Sequence, residues 1–338
     1  MKKSLIALAV LAASATAAQA ADVYGQVRVS VDMINSDTAN ADRTQVSSQT
    51  SRIGVKGSED LGGGLSAIYG LEWGVTFANN GTGADAGNTG STAGVAGAEL
   101  SEVSNTALSA RNQFVGLKGA FGTVLAGTHD TPYKLAGTAD VFADTAADAA
   151  TSTTTGIIGR GGFDLRAANA IAYISPDFNG FHAAVAAVAG ENATTAADMD
   201  NLAAATSIAL VYANGPLSVK YGYEDHDKIA NESAQKLTVS YKMGDIGLAA
   251  TMEEQDLNGA DDRSAYLVSA TYGMGPITLA AQHGKSELDN AATHELKRTT
   301  VGIVYALSKK TSAALAYNMD DAAGVDTKTT TVQLNHAF

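Results

Sequence analysis

Apolar residues in this chain recur at every second position, in short runs, from one end to the other. Val23, Gly25, Val27, Val29, Val31 and Met33 share one parity, with Tyr24, Gln26, Arg28, Ser30 and Asp32 on the other. Leu65, Ala67, Tyr69, Leu71, Trp73 and Val75 alternate with Ser66, Ile68, Gly70, Glu72 and Gly74. Leu237, Val239, Tyr241 and Met243 alternate with Lys236, Thr238, Ser240 and Lys242, and Val332, Leu334, His336 and Phe338 close the pattern. A period of two puts the members of each set on opposite faces of an extended strand. The chain is therefore an all-β succession of strands, each with one apolar and one polar face.

The connections between these runs come in two lengths. Short turns read 61–64, 119–122, 176–180, 214–216, 244–245, 273–276 and 307–310, rich in Gly, Pro, Asn and Asp. Longer polar stretches occupy 34–49, 76–110, 129–164, 190–205, 225–234, 254–263, 285–296 and 320–326. Seven turns and eight loops separate sixteen strands. An even strand number, with short connections at one end and long ones at the other, is the pattern of a transmembrane β-barrel. A lipid environment forces closure of such a sheet, because an open edge would leave backbone groups unpaired. Tyr173, Phe178, Phe181, Tyr212, Tyr241, Tyr272, Tyr305 and Phe338 all sit beside short turns or at the last residue. That placement fits an aromatic girdle at one membrane interface.

The first residues read as an export leader. Lys2 and Lys3 precede an apolar run over 5–13 and a small-residue site, Ala18-Gln19-Ala20. The run is far short of the roughly 20 apolar residues that span a bilayer, so cleavage after Ala20 is expected, leaving 21–338 as the barrel domain. Removing Lys2 and Lys3 leaves 20 basic residues against 35 acidic ones, a charge of −15. That balance argues against nucleic acid as a partner, since phosphates are bound with Lys and Arg. Cysteine is absent, which removes disulfides and thiol chemistry.

Catalytic patterns are missing as well. The histidines at 129, 182, 226, 283, 294 and 336 stand singly, and neither H-E-x-x-H nor G-x-S-x-G occurs. An enzyme needs convergent titratable groups, so no enzymatic activity and no cofactor is expected. Asp261-Asp262 and Asp320-Asp321 are the acidic pairs with the chemistry to hold Ca²⁺ in loops, but solvated loop tips are the preferred reading. Two loops are too long to be idle. Loop 76–110 is Gly-, Ala- and Ser-rich with few large apolar residues, whereas loop 129–164 carries Pro132, Tyr133, Leu135, Val141, Phe142, Ile157 and Ile158 and is expected to pack. Ala-rich 143–150 is read there as a short helix.

Several segments together resemble the trimeric general porins of Gram-negative bacteria, in particular the Neisseria-like and Comamonas-like group. They are Ser51-Arg52-Ile53-Gly54-Val55-Lys56-Gly57-Ser58-Glu59-Asp60-Leu61-Gly62, then Arg111-Asn112-Gln113-Phe114-Val115-Gly116-Leu117-Lys118-Gly119 with Phe121-Gly122-Thr123-Val124. Arg166-Ala167-Ala168-Asn169-Ala170-Ile171-Ala172-Tyr173-Ile174-Ser175-Pro176, Tyr305-Ala306-Leu307-Ser308-Lys309-Lys310-Thr311 and the final His336-Ala337-Phe338 follow in the same order. Two positions depart from the family pattern. Gly127 is followed by Thr128 where an Arg is common, and Asn335 and Ala337 stand where basic residues are usual.

The resemblance implies an outer-membrane homotrimer of sixteen-stranded antiparallel barrels, with short periplasmic turns, long external loops and loop 129–164 folded inward. It implies passive diffusion of ions and small polar solutes, and Arg52, Arg111 and Arg166 as the basic wall of a constriction. Asp140, Asp144 and Asp148 are the loop acids placed to face that wall. Arg52 alternates with Ile53, Val55 and Gly57, which by itself sends Arg52 inward; Arg111 and Arg166 have less regular surroundings. Phe338 is implied as a signal for the outer-membrane assembly machinery, and membrane lipid with lipopolysaccharide as the surroundings. Inward positions carry Arg28, Arg52, Lys56, Lys118, Lys220, Lys236, Lys242 and Arg298 against Asp32, Glu72, Glu224 and Glu253. A substrate-selective channel would want an aromatic track on that face, and an adhesin would want a separate passenger domain.

Overall fold

The computed structural model describes residues 21–39, 41–76, 108–150, 155–190, 202–226, 232–258, 262–289 and 295–338. The leader over 1–20, the body of loop 76–110 and Asp261 lie outside these residues. The first eight strands are β1 (Asp22–Ser36), β2 (Arg43–Ser48), β3 (Arg52–Gly62), β4 (Leu65–Val75), β5 (Leu108–Gly119), β6 (Gly122–Asp130), β7 (Arg166–Ile174) and β8 (Phe181–Val188). Then come β9 (Ala205–Asn214), β10 (Leu217–Asp225), β11 (Ser233–Met243), β12 (Ile246–Asp256) and β13 (Arg263–Met274). The last are β14 (Ile277–Leu288), β15 (Leu296–Ala306), β16 (Thr311–Ala322) and β17 (Val325–Ala337). One short helix, α1 (Pro132–Leu135), opens the long loop after β6.

β1 pairs antiparallel with both β2 and β3, each strand from β3 onward pairs antiparallel with its successor, and β1 pairs with β17 from Gln26↔Ala337 to Ser36↔Thr327. The sheet is therefore closed and has no edge. β2 and β3 are halves of one strand, since β2 runs along Val29–Ile34 of β1 and β3 along Asp22–Gln26. Between them Thr50 takes a positive φ of 46°, a kink of the kind that bulged strands use to sharpen a bend. Counted this way the barrel has sixteen strands.

The apolar faces point outward along the whole circuit. On β11, Leu237, Val239, Tyr241 and Met243 are exposed while Lys236 and Thr238 are buried inside. In water this would be inverted; in lipid it is the stable arrangement, because hydrocarbon removes no free energy from an apolar face. Tyr173, Phe178, Phe181, Tyr212, Tyr241, Tyr272, Tyr305 and Phe338 are all exposed beside the short turns, as the girdle requires. Phe121 at the β5–β6 turn joins them.

Two of the expected long loops are short. β1 runs to Ser36 and β2 restarts at Arg43, and β16 and β17 are joined across Ala323 and Gly324 alone. Polar residues there do not end the ladder because they face the lumen: Asp320 is an inward strand residue gripped by Arg298 at 2.7 and 2.9 Å. Asp320-Asp321 is thus no loop tip. Residues 143–150 form consecutive turns instead of a helix. Asp140 accepts from the N–H groups of Phe142, Ala149 and Ala150, and Asp148 from those of Asp144 and Ala150. Aspartate side chains that capture backbone donors in this way compete directly with helix.

Candidate functional site

The described residues of loop 129–164 lie inside the barrel, against the wall formed by β9 to β16. Thr131 caps α1 by accepting from Lys134 N at 3.3 Å. The helix drives Tyr133 into the wall, where its N–H donates to Ser207 Oγ at 2.8 Å and its hydroxyl to Glu253 Oε2 at 2.6 Å. Burial and the neighbouring Glu253 carboxylate push the Tyr133 hydroxyl well above its ordinary range, so it stays a donor. Beyond α1, Thr238 donates to Gly137 O, Ala139 N to Thr251 Oγ1, and Val141 N to Gln282 Oε1. Successive loop residues thus meet inward hydroxyls on β11 and β12 and an amide on β14.

Apolar side chains of the loop fit where the wall has no side chain. Tyr133 lies over Gly222, Ile157 over Gly284 and Phe142 over Gly302. Ile157 and Ile158 are fully buried with Ala265, Leu267 and Leu296, inward residues that are apolar in an otherwise polar lining. The returning leg is held by charge. Asp164 pairs with Lys236 at 2.6 Å and Lys134 at 3.6 Å, and Lys236 also stands 4.2 Å from the centre of the Tyr133 ring. Lys236 and Glu253 are therefore buried in loop contacts and not free in the lumen, and Glu224 is buried beside His226.

The loop tip crosses to the opposite wall. Asp144 Oδ2 stands 3.1 Å from Arg28 Nη1 and 3.6 Å from Arg52 Nη1. Arg52 also lies 3.8 Å from Glu72, whose other oxygen accepts from Arg111 Nε at 2.6 Å, while Tyr24 donates to Glu72 at 3.1 Å. Arg166 stands apart from that group: its Nη2 is 3.1 Å from Asp130 and its Nε donates to Asn112 at 2.8 Å. Asp140 and Asp148 turn their carboxylates to the loop's own backbone, and the Asp148 carbonyl accepts from Arg298. Of the six residues expected here, Arg52 and Asp144 are brought into contact, with Arg111 joined to Arg52 through Glu72.

Arg28 and Glu72 are inward by parity, but parity does not say which charges meet. Arg111 and Arg166 sit beside irregularities in the ladder, where the register shifts between Leu71 and Trp73 and between Gly127 and His129. A bulge re-aims the side chains next to it, so alternation alone could not orient these two arginines. The glycines at 222, 284 and 302, on the inward parity of a wide barrel, were the sequence signal for where the loop would dock.

Comparison with known proteins agrees with this architecture. The chain matches the family described as Gram-negative porin over residues 5–324. It is 31% identical to outer membrane porin protein 32 of Delftia acidovorans, across 92% of this chain and 87% of that protein. Major outer membrane protein P.IB of Neisseria gonorrhoeae is 26% identical over 100% of both chains. Among solved structures, the anion-selective porin from Comamonas acidovorans matches with a TM-score of 0.73 at 24% identity, covering 94% of this chain and 99% of that one. The chain belongs to the Gram-negative porin family, and its barrel is an outer-membrane channel for passive diffusion of ions and small hydrophilic solutes.

Proposed function

We propose that the lumen beside the contact of the loop tip with the β1–β5 wall is the constriction of this channel and gives it a weak preference for anions. The observation that carries this reading is the convergence of Arg28 and Arg52 on the single carboxylate of Asp144. Beside that contact Glu72 is shared by Arg52 and Arg111, while Arg166 pairs with Asp130. The opposed signs also set up a field across the pore, which orients dipolar solutes. The −15 expected once residues 1–20 are removed has little say, because charges on loops are screened within about 10 Å at 0.1 M salt.

The solved relative named as anion-selective supports this preference. A homotrimer in outer-membrane lipid and lipopolysaccharide is part of the same proposal, supported by OmpT of Vibrio cholerae, described in a trimer form and matching with a TM-score of 0.67. Reconstitution in a planar bilayer under a KCl gradient tests the ion preference. A reversal potential on the chloride side is expected, and one firmly on the potassium side would remove the proposal.

A further inference from the structure

The returning leg of the inner loop turns tightly at Gly159-Arg160-Gly161-Gly162, with the three glycines at φ 75°, 86° and 113°. Side chains rarely tolerate those angles, so the turn is specified by its glycines. Gly159 N–H anchors it by donating to both oxygens of Glu253, at 3.0 and 2.8 Å, and Phe163 is fully buried on the far side. Between these anchors the N–H groups of Gly161 and Gly162 have no acceptor among the described residues. A Cβ built on Gly162 would meet only open space. Successive N–H groups in such a turn form a concavity suited to an anion.

Two arginines flank the concavity. Arg263, at the start of β13, uses Nη1 to donate to the Arg160 carbonyl at 3.3 Å and to Gln255 Oε1 at 2.9 Å. Its other edge is idle, and Nε there is shut off from water with no acceptor. Arg160 is half-buried and its guanidinium has no partner among the described residues. The two cations repel. The acids whose charge reaches Arg263 are Glu253 and Glu232, and Glu253 is already committed to Gly159, Tyr133 and Gln255. An unmade charge-assisted hydrogen bond at a buried guanidinium is costly, and an oxyanion would supply the missing acceptor to both arginines and to the turn.

We propose that Arg160, Arg263 and the Gly161–Gly162 turn form a capture site for a small oxyanion, phosphate-like or carboxylate-bearing, on the external side of the constriction. Its position follows from Arg263, which opens β13 at the end opposite the Gly275–Pro276 turn. The site goes beyond the ion preference proposed above, because it uses neither Arg28, Arg52 nor Arg111. It would raise the local concentration of multiply charged solutes ahead of the narrow region.

Inorganic phosphate is the probe, titrated calorimetrically into the detergent-solubilised full chain and added to either side of a bilayer carrying single channels in KCl. Binding is expected on the order of 1–10 mM, with a matching partial block of chloride current that is stronger from one side. Arg160→Ser and Arg263→Gln should each weaken binding and block about tenfold, with KCl conductance in the absence of phosphate unchanged. Arg160 has no side-chain partner to lose among the described residues, so that variant is expected to keep the fold. Calorimetry reads the site even if the ion-preference proposal fails. No phosphate binding to wild type, or equal binding by wild type and both variants, overturns the site.

Discussion

Lys236 Nζ lies 2.6 Å from Asp164 Oδ1, with both side chains out of water and the Tyr133 ring against the ammonium. The pair ties the returning leg of the inner loop to β11. Removing one partner of a buried pair leaves an uncompensated charge and costs about 3–5 kcal/mol. Asp164→Ala should therefore lower the heat-modification temperature of the barrel and make single-channel current noisy. Asp164→Leu combined with Lys236→Met should recover most of the loss. Equal stability of wild type and Asp164→Ala would show that the pair does not hold the loop.

The socket at Gly302 can be tested by filling it. A Cβ there would stand 2.6 Å from Phe142 Cε1 and 2.9 Å from the Leu315 carbonyl. Gly302→Ala should push Phe142 and the Asp144 tip off the wall, changing single-channel conductance while the barrel still assembles. Phe142→Ala should empty the same contact at about 3–5 kcal/mol of loop stability, giving unsteady conductance. If both variants conduct as wild type does, the tip is not set by this contact.

Charge at the constriction gives an opposing pair of outcomes. Replacing Arg52, Arg111 and Arg166 with Ser should move the reversal potential under a KCl gradient towards cations. Asp144→Asn should move it towards anions. A unit charge at 4 Å in water is worth about 1 kcal/mol, so single changes should alter the permeability ratio by about fivefold at most. A triple variant indistinguishable from wild type would take these arginines out of the ion path.

Asp148 provides a pH dependence. Burial, followed by the adjacent Asp140 carboxylate, holds its carboxyl well above the ordinary aspartate value of 3.8. A group whose pKa rises on folding stabilises the fold below its unfolded value and loses that contribution as pH climbs through the folded one. The loop tip should thus be tightest in acid and loosen as pH rises from about 4. Conductance noise recorded against pH should follow, and Asp148→Asn should flatten the profile.

Phe338 seals the seam between the last strand and the first. Its N–H donates to Gly25 O at 3.0 Å, and its ring covers Gly25 so closely that a Cβ there would stand 2.5 Å away. Deleting Phe338 should sharply reduce the yield of heat-modifiable barrels in the outer membrane. Normal yield would mean that the seam closes without it.

The barrel was readable in the sequence because lipid on one side and water on the other impose strict alternation, and Arg52 obeys it. What escaped depends on register and on competition for backbone donors. Arg111 and Arg166 sit beside ladder shifts that no parity rule foresees. Asp140, Asp144 and Asp148 are evenly spaced and look equivalent, yet the outer two bind loop N–H groups while Asp144, at φ 59°, turns to the arginines. Polar composition at 34–49 and 320–326 marked lumen-facing strand as well as loop.

The seam also governs how the chain must travel. Thr331 donates to Asp32 across 299 residues, and closing a loop of that length costs about 5 kcal/mol before any pairing repays it. Until β17 exists, β1 presents a bare edge, and every strand already made carries an apolar face with no lipid to meet. Such a chain is slow to fold and ready to aggregate. Until insertion those faces stay unburied, and the pore comes into being only when its last strand reaches its first.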